Sequence, residues 1–410
     1  MKIAVISHYY PPDKAGDIPR TIARSMSGRG HDVRVLTTFP HYARGRIANG
    51  YRQSFSHIES DGEVKVRRVP IIPSHSRNAI GRIANYLSFP ASARLFSKWL
   101  SDVDVIFVHG TPATPAEVAR SLAARKSIPF VFCVQDIWPE SVTESGFLPR
   151  PILNQMKKGI DRWLGSVYAQ ASAVIAIAPS ARELLIERGV PRSRAHLIYN
   201  WSAKPKEFNR PNTDGLSLLY AGNLGDFQDL ETVVKAIRIV SHLDNLKLTV
   251  AGSGVSEAKL KRLVADLGLE DQVVFLGQVE KSNMGKVYSA ADFQIIPLKN
   301  IDIFAGTIPS KFQAGLAYGV PVITTVKGDV SNLVESNRLG FTANPEDPND
   351  LARAFAAAYE TSPEERAGFS QRCLKFVEDN FTEERAMDRI EELLIAAAAS
   401  RFTADRDQRD

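Results

Sequence analysis

A lysine stands where helix electrostatics disfavour it. Residues 307–323 read TIPSKFQAGLAYGVPVI. Pro309 and Ser310 set a turn that opens a short helix, with Ser310 as the expected N-cap and Gly319 as the residue that ends it. Lys311 then falls in the first helical turn, next to the positive end of the helix dipole. An anion held between the ammonium and the backbone N–H groups of the turn would reverse the sign of that interaction. An ordinary solvated lysine on a strand–helix connection is the alternative. Arg20 repeats the pattern on the helix opened by Gly16, Asp17 and Pro19. There Gly16 would let the backbone approach a ligand closely, or it is a turn glycine beside a surface arginine.

A second set of polar side chains clusters around VQDIWPES at 134–141. Asp136 suits a group that orients or deprotonates a hydroxyl, or a residue that caps the next helix. Trp138 offers a flat apolar face to a ring, or packs inward. Gln135 and Glu140 flank them, although a glutamate in a first helical turn needs no ligand to explain it. His109 ends an expected strand, where it either meets a ligand or is a core histidine. Asn223 and Gln228 lie in the loop after the strand 216–221. Gly252, in a Gly-Ser-Gly turn after the strand 246–251, lets a ligand come close or serves the turn itself.

These residues need a scaffold, and the apolar pattern supplies one. Short β-branched runs alternate with helical patterns from end to end, as in parallel α/β architecture. Strands are expected at 2–7, 33–38, 103–109, 130–134, 174–178 and 196–199. A second series follows at 216–221, 246–251, 273–276, 293–297, 320–325 and 340–343. Between them 201–214, with Pro205, Asn209, Pro211 and Asn212, reads as a linker. At 410 residues the chain is long enough for two domains. This gives an N-terminal domain 1–200, a C-terminal domain 215–381, a last helix 382–400 and a charged tail 401–410 expected to fray. In doubly wound sheets ligands bind beyond the carboxyl ends of the strands.

Composition excludes several classes. Cys133 and Cys373 are isolated, so neither a metal motif nor a disulfide framework is present, which suits a reducing compartment. No apolar stretch approaches a membrane span or a signal peptide, and the chain reads as cytoplasmic. The first strand is not followed by three glycines, and no GxxxxGK[ST] occurs. Asp102 and Asp104 match a DxD metal spacing but sit at the start of a strand, the wrong end for a site.

The charge is lopsided. Residues 1–200 carry 27 Lys and Arg against 15 Asp and Glu, a net +12, while the remainder has 24 against 31, a net −7. The stretch 64–101 holds seven cations and no acid, interleaved with apolar and aromatic residues. It suits an anionic membrane surface. A plain solvated face is the alternative, and no nucleic-acid motif accompanies the stretch.

Six segments together resemble glycosyltransferase family 4, in particular a bacterial polysaccharide branch with fucosamine-transferase-like and colanic-acid-type enzymes. They are YYPPDKAG (9–16), GHDVRVLTTFPHY (30–42), VQDIWPES (134–141), YAGNLG (220–225), SAADFQIIPL (289–298) and IPSKFQAGLAYGVP (308–321). The resemblance implies the GT-B fold, two tandem Rossmann-like doubly wound domains facing across a cleft and closed by the C-terminal helix. It implies retaining transfer of a hexosyl or N-acetylaminosugar group without a required metal or other cofactor. The donor would be a nucleotide sugar, UDP by family habit, and the acceptor a lipid-diphosphate-linked glycan at the cytoplasmic face of the membrane. Nucleic acid is not an expected partner. Asp136, Lys311 and Arg20 become the catalytic candidates, with Gly16, Asn223, Gln228, Gly252 and Ser310 beside Lys311 at the donor. Gln135, Trp138, Glu140 and His109 would meet the acceptor. Many members carry an Arg and a Lys where this chain has Asn223 and Gln228, and two glutamates where it has Thr307 and Ala314. Those departures leave room for a GT-B nucleotide-sugar epimerase or a non-catalytic binding protein.

Overall fold

A computed structural model describes residues 1–42, 45–74, 79–139, 150–202, 215–301 and 306–407. Two compact units emerge, Met1–Ile198 with Met387–Asp410, and Tyr199–Ala386. Residues 203–214, most of the expected linker, lie outside the described residues, as does Glu140.

The first unit is built on β1 (Lys2–Ser7), β2 (Asp32–Thr38), β3 (His57–Asp61), β4 (Val64–Val69), β5 (Val105–Gly110), β6 (Phe130–Val134), β7 (Ala173–Ala176) and β8 (Ala195–Leu197). Their order across the sheet is β3-β4-β2-β1-β5-β6-β7-β8. Every pairing is parallel except that of β3 with β4. The second unit carries β9 (Leu216–Ala221), β10 (Leu246–Ala251), β11 (Val273–Gly277), β12 (Phe293–Ile296), β13 (Val322–Thr324) and β14 (Gly340–Thr342). These are parallel throughout, in the order β11-β10-β9-β12-β13-β14. Both are Rossmann-like orders whose direction reverses between β1 and β5 and between β9 and β12. Central parallel strands are covered on both faces, and β5, β6 and β12 are buried along their full length.

The hairpin β3–β4 was not among the expected strands. Asp61 pairs with Val64 across the two-residue loop Gly62–Glu63, and the Asp-Gly step is the local signal for such a turn. The hairpin also revises the picture of 64–101 as one amphipathic surface. Arg68 is wholly buried; its Nε donates to Glu59 Oε1 at 2.8 Å, and its terminal nitrogens reach the carbonyls of Thr38 and Pro11. Ile71 and Phe89 are core residues, and Arg94 pairs with Glu117 at 2.6 Å. Part of the stretch is therefore internal scaffold.

The last helix runs from Glu383 to Asp407, through residues expected to fray. From Met387 onward it belongs to the first unit. Arg29 bridges Asp388 (2.7 Å) and Glu391 (2.6 Å), His31 meets Glu391 at 2.7 Å, and Arg401 donates to the carbonyls of Val103 and Lys126. Asp102 and Asp104 bind the sheet's own start: Asp102 pairs with Lys2 and Arg34, and Asp104 accepts the Lys2 N–H. Among the described residues no helix is long and apolar enough to cross a membrane.

The buried Arg68 gives a stability test. Arg68→Met strands the Glu59 carboxylate and two carbonyls, and should lower unfolding free energy by about 3 kcal/mol. Urea unfolding followed by tryptophan fluorescence reads this, and an unchanged midpoint would show that Arg68 does not hold the hairpin.

Candidate functional site

In the second unit the expected residues converge beyond the ends of β9 and β12. The helix Ser310–Ala317 follows β12 and is capped at Pro309, whose extended backbone (φ −64°, ψ 140°) takes the N-cap position. Ser310 is consequently the first helical residue rather than the cap, and it is exposed. Lys311 turns inward. Its ammonium donates to Gln228 Oε1 and to the Tyr220 hydroxyl at 3.1 Å, and lies 4.5 Å from the centre of the Tyr220 ring. The hydroxyl in turn donates to the carbonyl of Asn223 at 2.6 Å, while the Asn223 side chain is exposed. Gly252 closes against the backbone of Gly222, where a Cβ would stand 1.8 Å from the carbonyl oxygen. Gly222 itself lies beside the end of the Lys311 side chain. Among the described residues no carboxylate is paired with Lys311, and burial pulls its pKa down to about 8. Such a cation, solvated by one amide oxygen and one hydroxyl, is under-compensated and suited to an anion. Tyr220 was not expected here; it ends the same strand that leads to Asn223 and Gln228, and only its packing against Lys311 reveals it.

In the first unit Asp136 lies just beyond β6, half-buried. Desolvation raises its carboxyl above the usual range, opposed by a hydrogen bond from Thr111. Raised carboxylates of this kind are candidates for proton transfer. The hydroxyls of Tyr9 and Tyr86 feel its charge, and burial pushes both upward. Trp138 is only 7% exposed, its ring 5.6 Å from that of Tyr86; it packs rather than presenting a face. The exposed ring is Tyr42, edge-on to Tyr9 at 5.0 Å. Asp13 fixes that loop by accepting the N–H groups of His41 and Tyr42, each at 3.0 Å. Beneath it Asn85 joins His8 to His41, at 3.2 and 3.0 Å. The aromatic residues of YYPP and FPHY directly follow β1 and β2, a positional signal that was available in the sequence.

His109 is buried at the end of β5, in register with Ser7 and Cys133. Neither ring nitrogen has a partner among the described residues, and burial pulls its pKa down to about 4. Gln135 donates to the Cys133 sulfur at 3.3 Å. Two expected residues have other occupations. Arg20 is locked on Asp61 of β3 (Nε to Oδ2 2.8 Å, Nη2 to Oδ1 3.0 Å), a carboxylate shared with Arg24 and Tyr10. Gly16 is small because a Cβ would meet the Tyr10 Cα at 2.3 Å, so its backbone serves packing. Among the described residues no group of three His, Cys, Asp or Glu side chains is placed to hold a metal ion.

Two Rossmann-like halves with polar groups at both strand-order reversals define the GT-B class of transferase folds. Residues 16–201 match the glycosyl transferase 4-like domain and residues 203–375 match glycosyl transferases group 1. The chain belongs to glycosyltransferase family 4. It is 24% identical to the uncharacterized glycosyltransferase MJ1607 of Methanocaldococcus jannaschii over 86% of this chain and 87% of that one. It is 28% identical to the amylovoran biosynthesis glycosyltransferase AmsK of Erwinia amylovora, over 51% of this chain and 50% of AmsK. Among solved structures, Anabaena Alr3699/HepE in complex with UDP superimposes with a TM-score of 0.62, at 16% identity over 97% of this chain and all of that one. That likeness is one of fold.

Lys311 gives a pH test. Below about 8 the ammonium is charged and attracts a phosphate anion; above it the charge is lost. Bound anion favours the ammonium, so binding takes up a proton around and above that pH. Affinity for sulfate, whose own charge does not change in this range, should therefore fall as pH rises from 7 to 9, and Lys311→Met should abolish the dependence. Calorimetry in buffers of different ionisation enthalpy measures the proton directly, and no proton uptake by the wild type would end this assignment.

Proposed function

We propose that this protein is a retaining glycosyltransferase that moves a hexosyl or N-acetylaminosugar group from a UDP-sugar to a lipid-diphosphate-linked oligosaccharide. The process would be the assembly of a cell-surface polysaccharide such as O-antigen, capsule or exopolysaccharide, on the cytoplasmic face of a membrane. The observation that carries the reading is Lys311, desolvated, paired with no carboxylate among the described residues, and placed at the start of a helix beyond β12. As the sugar departs, charge develops on the diphosphate. Lys311 and the amide groups that open its helix are the fixed dipoles and charge available to stabilise it. The reading assigns that work to them, without a metal. Asp136, with its raised carboxyl, is the group assigned to the acceptor hydroxyl, and the Tyr9–Tyr42 pair is the aromatic surface offered to a sugar ring. A relative named for amylovoran biosynthesis supports the polysaccharide role, and a neighbouring structure that holds UDP supports the donor. Arg20 is left out of this mechanism because Asp61 holds it.

Titration calorimetry with UDP, GDP, ADP and TDP should find one nucleotide bound selectively, UDP under this reading. In a transfer assay with labelled UDP-sugar and lipid-diphosphate acceptor, Lys311→Ala should lose roughly a hundredfold to a thousandfold in turnover. Asp136→Asn should lose roughly a hundredfold or more in transfer while UDP affinity stays near wild type. Transfer should persist in a chelator. Donor turnover without acceptor would favour an epimerase, and binding without turnover a sugar-nucleotide receptor.

A further inference from the structure

Arg67 is the unusual cation of the first unit. Its neighbour Arg68 has Glu59, and Arg20 and Arg24 have Asp61. Arg67, half-buried on β4, has no carboxylate partner among the described residues. Its guanidinium lies 5.3 Å from the ring centre of Phe96 and 5.0 Å from that of Trp99. Its Nε is removed from solvent and meets no acceptor among the described residues. Aromatic faces stabilise the charge, but the N–H edges of a guanidinium still call for an acceptor.

The surface around it is apolar. Ile58 is directly opposite Arg67 in the hairpin, so both stand on one face of the sheet, and Ile58 is exposed. Phe55, 68% exposed, has its ring 5.1 Å from Phe96, and Leu95, 67% exposed, directly precedes Phe96. The stripe continues along the helix Ala79–Arg94, where Leu87 and Ala91 are exposed at four-residue steps before Leu95. Ile72, also exposed, donates its N–H to Ser88 on the same helix. Scattered exposed apolar residues are ordinary, whereas a contiguous set marks an interaction surface. The acids bordering it are already engaged: Glu59 by Arg68, Glu117 by Arg94 and Arg120, Asp102 by Lys2 and Arg34. Glu63 at the hairpin turn is an exposed exception, against exposed Arg52, Lys65 and Lys98. The face is therefore apolar with a positive balance.

We propose that the face formed by Phe55, Ile58, Leu87 and Leu95 around Arg67 rests on an anionic lipid surface. The apolar side chains enter the boundary between headgroups and acyl chains, and Arg67 takes a lipid phosphate. This rests on the membrane placement in the preceding reading and narrows it. Arg68, Ile71 and Phe89 belong to the core, while Phe55 and Ile58, outside the basic stretch, belong to the contact. A basic, aromatic-studded surface matches the chemistry of the interfacial layer.

The test is co-sedimentation of the full chain with phosphatidylcholine vesicles, with and without phosphatidylglycerol, at low and high salt. The wild type should bind the anionic vesicles, and more weakly at high salt. The pair Phe55→Ser and Leu95→Ser, both highly exposed, should weaken binding roughly tenfold or more. Arg67→Gln should erase the preference for anionic over neutral vesicles, and Arg67→Lys should restore part of it. A wild type that stays in the supernatant with anionic vesicles at low salt would overturn the proposal. So would wild-type binding by the Phe55/Leu95 pair, which does not depend on Arg67 variants folding. UDP calorimetry on the same samples separates the two readings. Unchanged UDP affinity with lost vesicle binding is the expected result for the pair. Vesicle binding by a wild type that fails to bind UDP would count against the transferase and not against this surface.

Discussion

A parallel sheet must be covered on both faces, because its strands cannot leave one side to water as an antiparallel sheet can. That constraint shapes both units. β5, β6 and β12 are buried from end to end, so chemistry is confined to the residues just beyond the strands. The order of strands then selects among those ends. Where it reverses, at β1/β5 and β9/β12, neighbouring connections diverge and leave room. Tyr9 and His109 belong to the first reversal, Tyr220 and Lys311 to the second. Asp136 follows the adjacent β6.

Three cations show how differently one fold treats desolvated charge. Arg68 is fully compensated, by a carboxylate and two carbonyls, and acts as a fastener between β4, β2 and the loop after β1. Among the described residues Lys311 is compensated only by neutral oxygens and an aromatic face, so its charge is costly to keep until an anion arrives. Arg67 has aromatic faces alone among the described residues. Residue type does not distinguish these roles. The number and charge of the acceptors around each does, and that follows from which strands and helices are adjacent. The same logic removes Arg20 from the reaction: Asp61, brought by the β3–β4 hairpin, satisfies it bidentately.

The motif glycines divide in a similar way. Gly16 and Gly252 both allow close approach, yet what approaches is backbone: Tyr10 in one case and Gly222 in the other. Close packing of loop on loop holds the polar residues at the strand ends in place. Trp138 joins that packing against Tyr86, which leaves Tyr42 as the accessible ring beside Tyr9.

The sequence makes the parallel α/β architecture legible, because strand and helix periodicities are local and the apolar runs of a two-sided parallel sheet are unmistakable. It also determined that Lys311 opens a helix after β12, since Pro309, Ser310 and Gly319 mark that helix locally. It left the β3–β4 hairpin unread although Asp61-Gly62 signals its turn, because β3 is a half-exposed edge strand with little apolar pattern. Which acceptors each cation meets follows from the folded arrangement instead. Asp61 lies 41 residues from Arg20, and Tyr220 and Gln228 lie 91 and 83 residues from Lys311. Phe96 and Trp99 reach Arg67 from a different element. Electrostatic compensation depends on distances across the fold, and no local pattern encodes them.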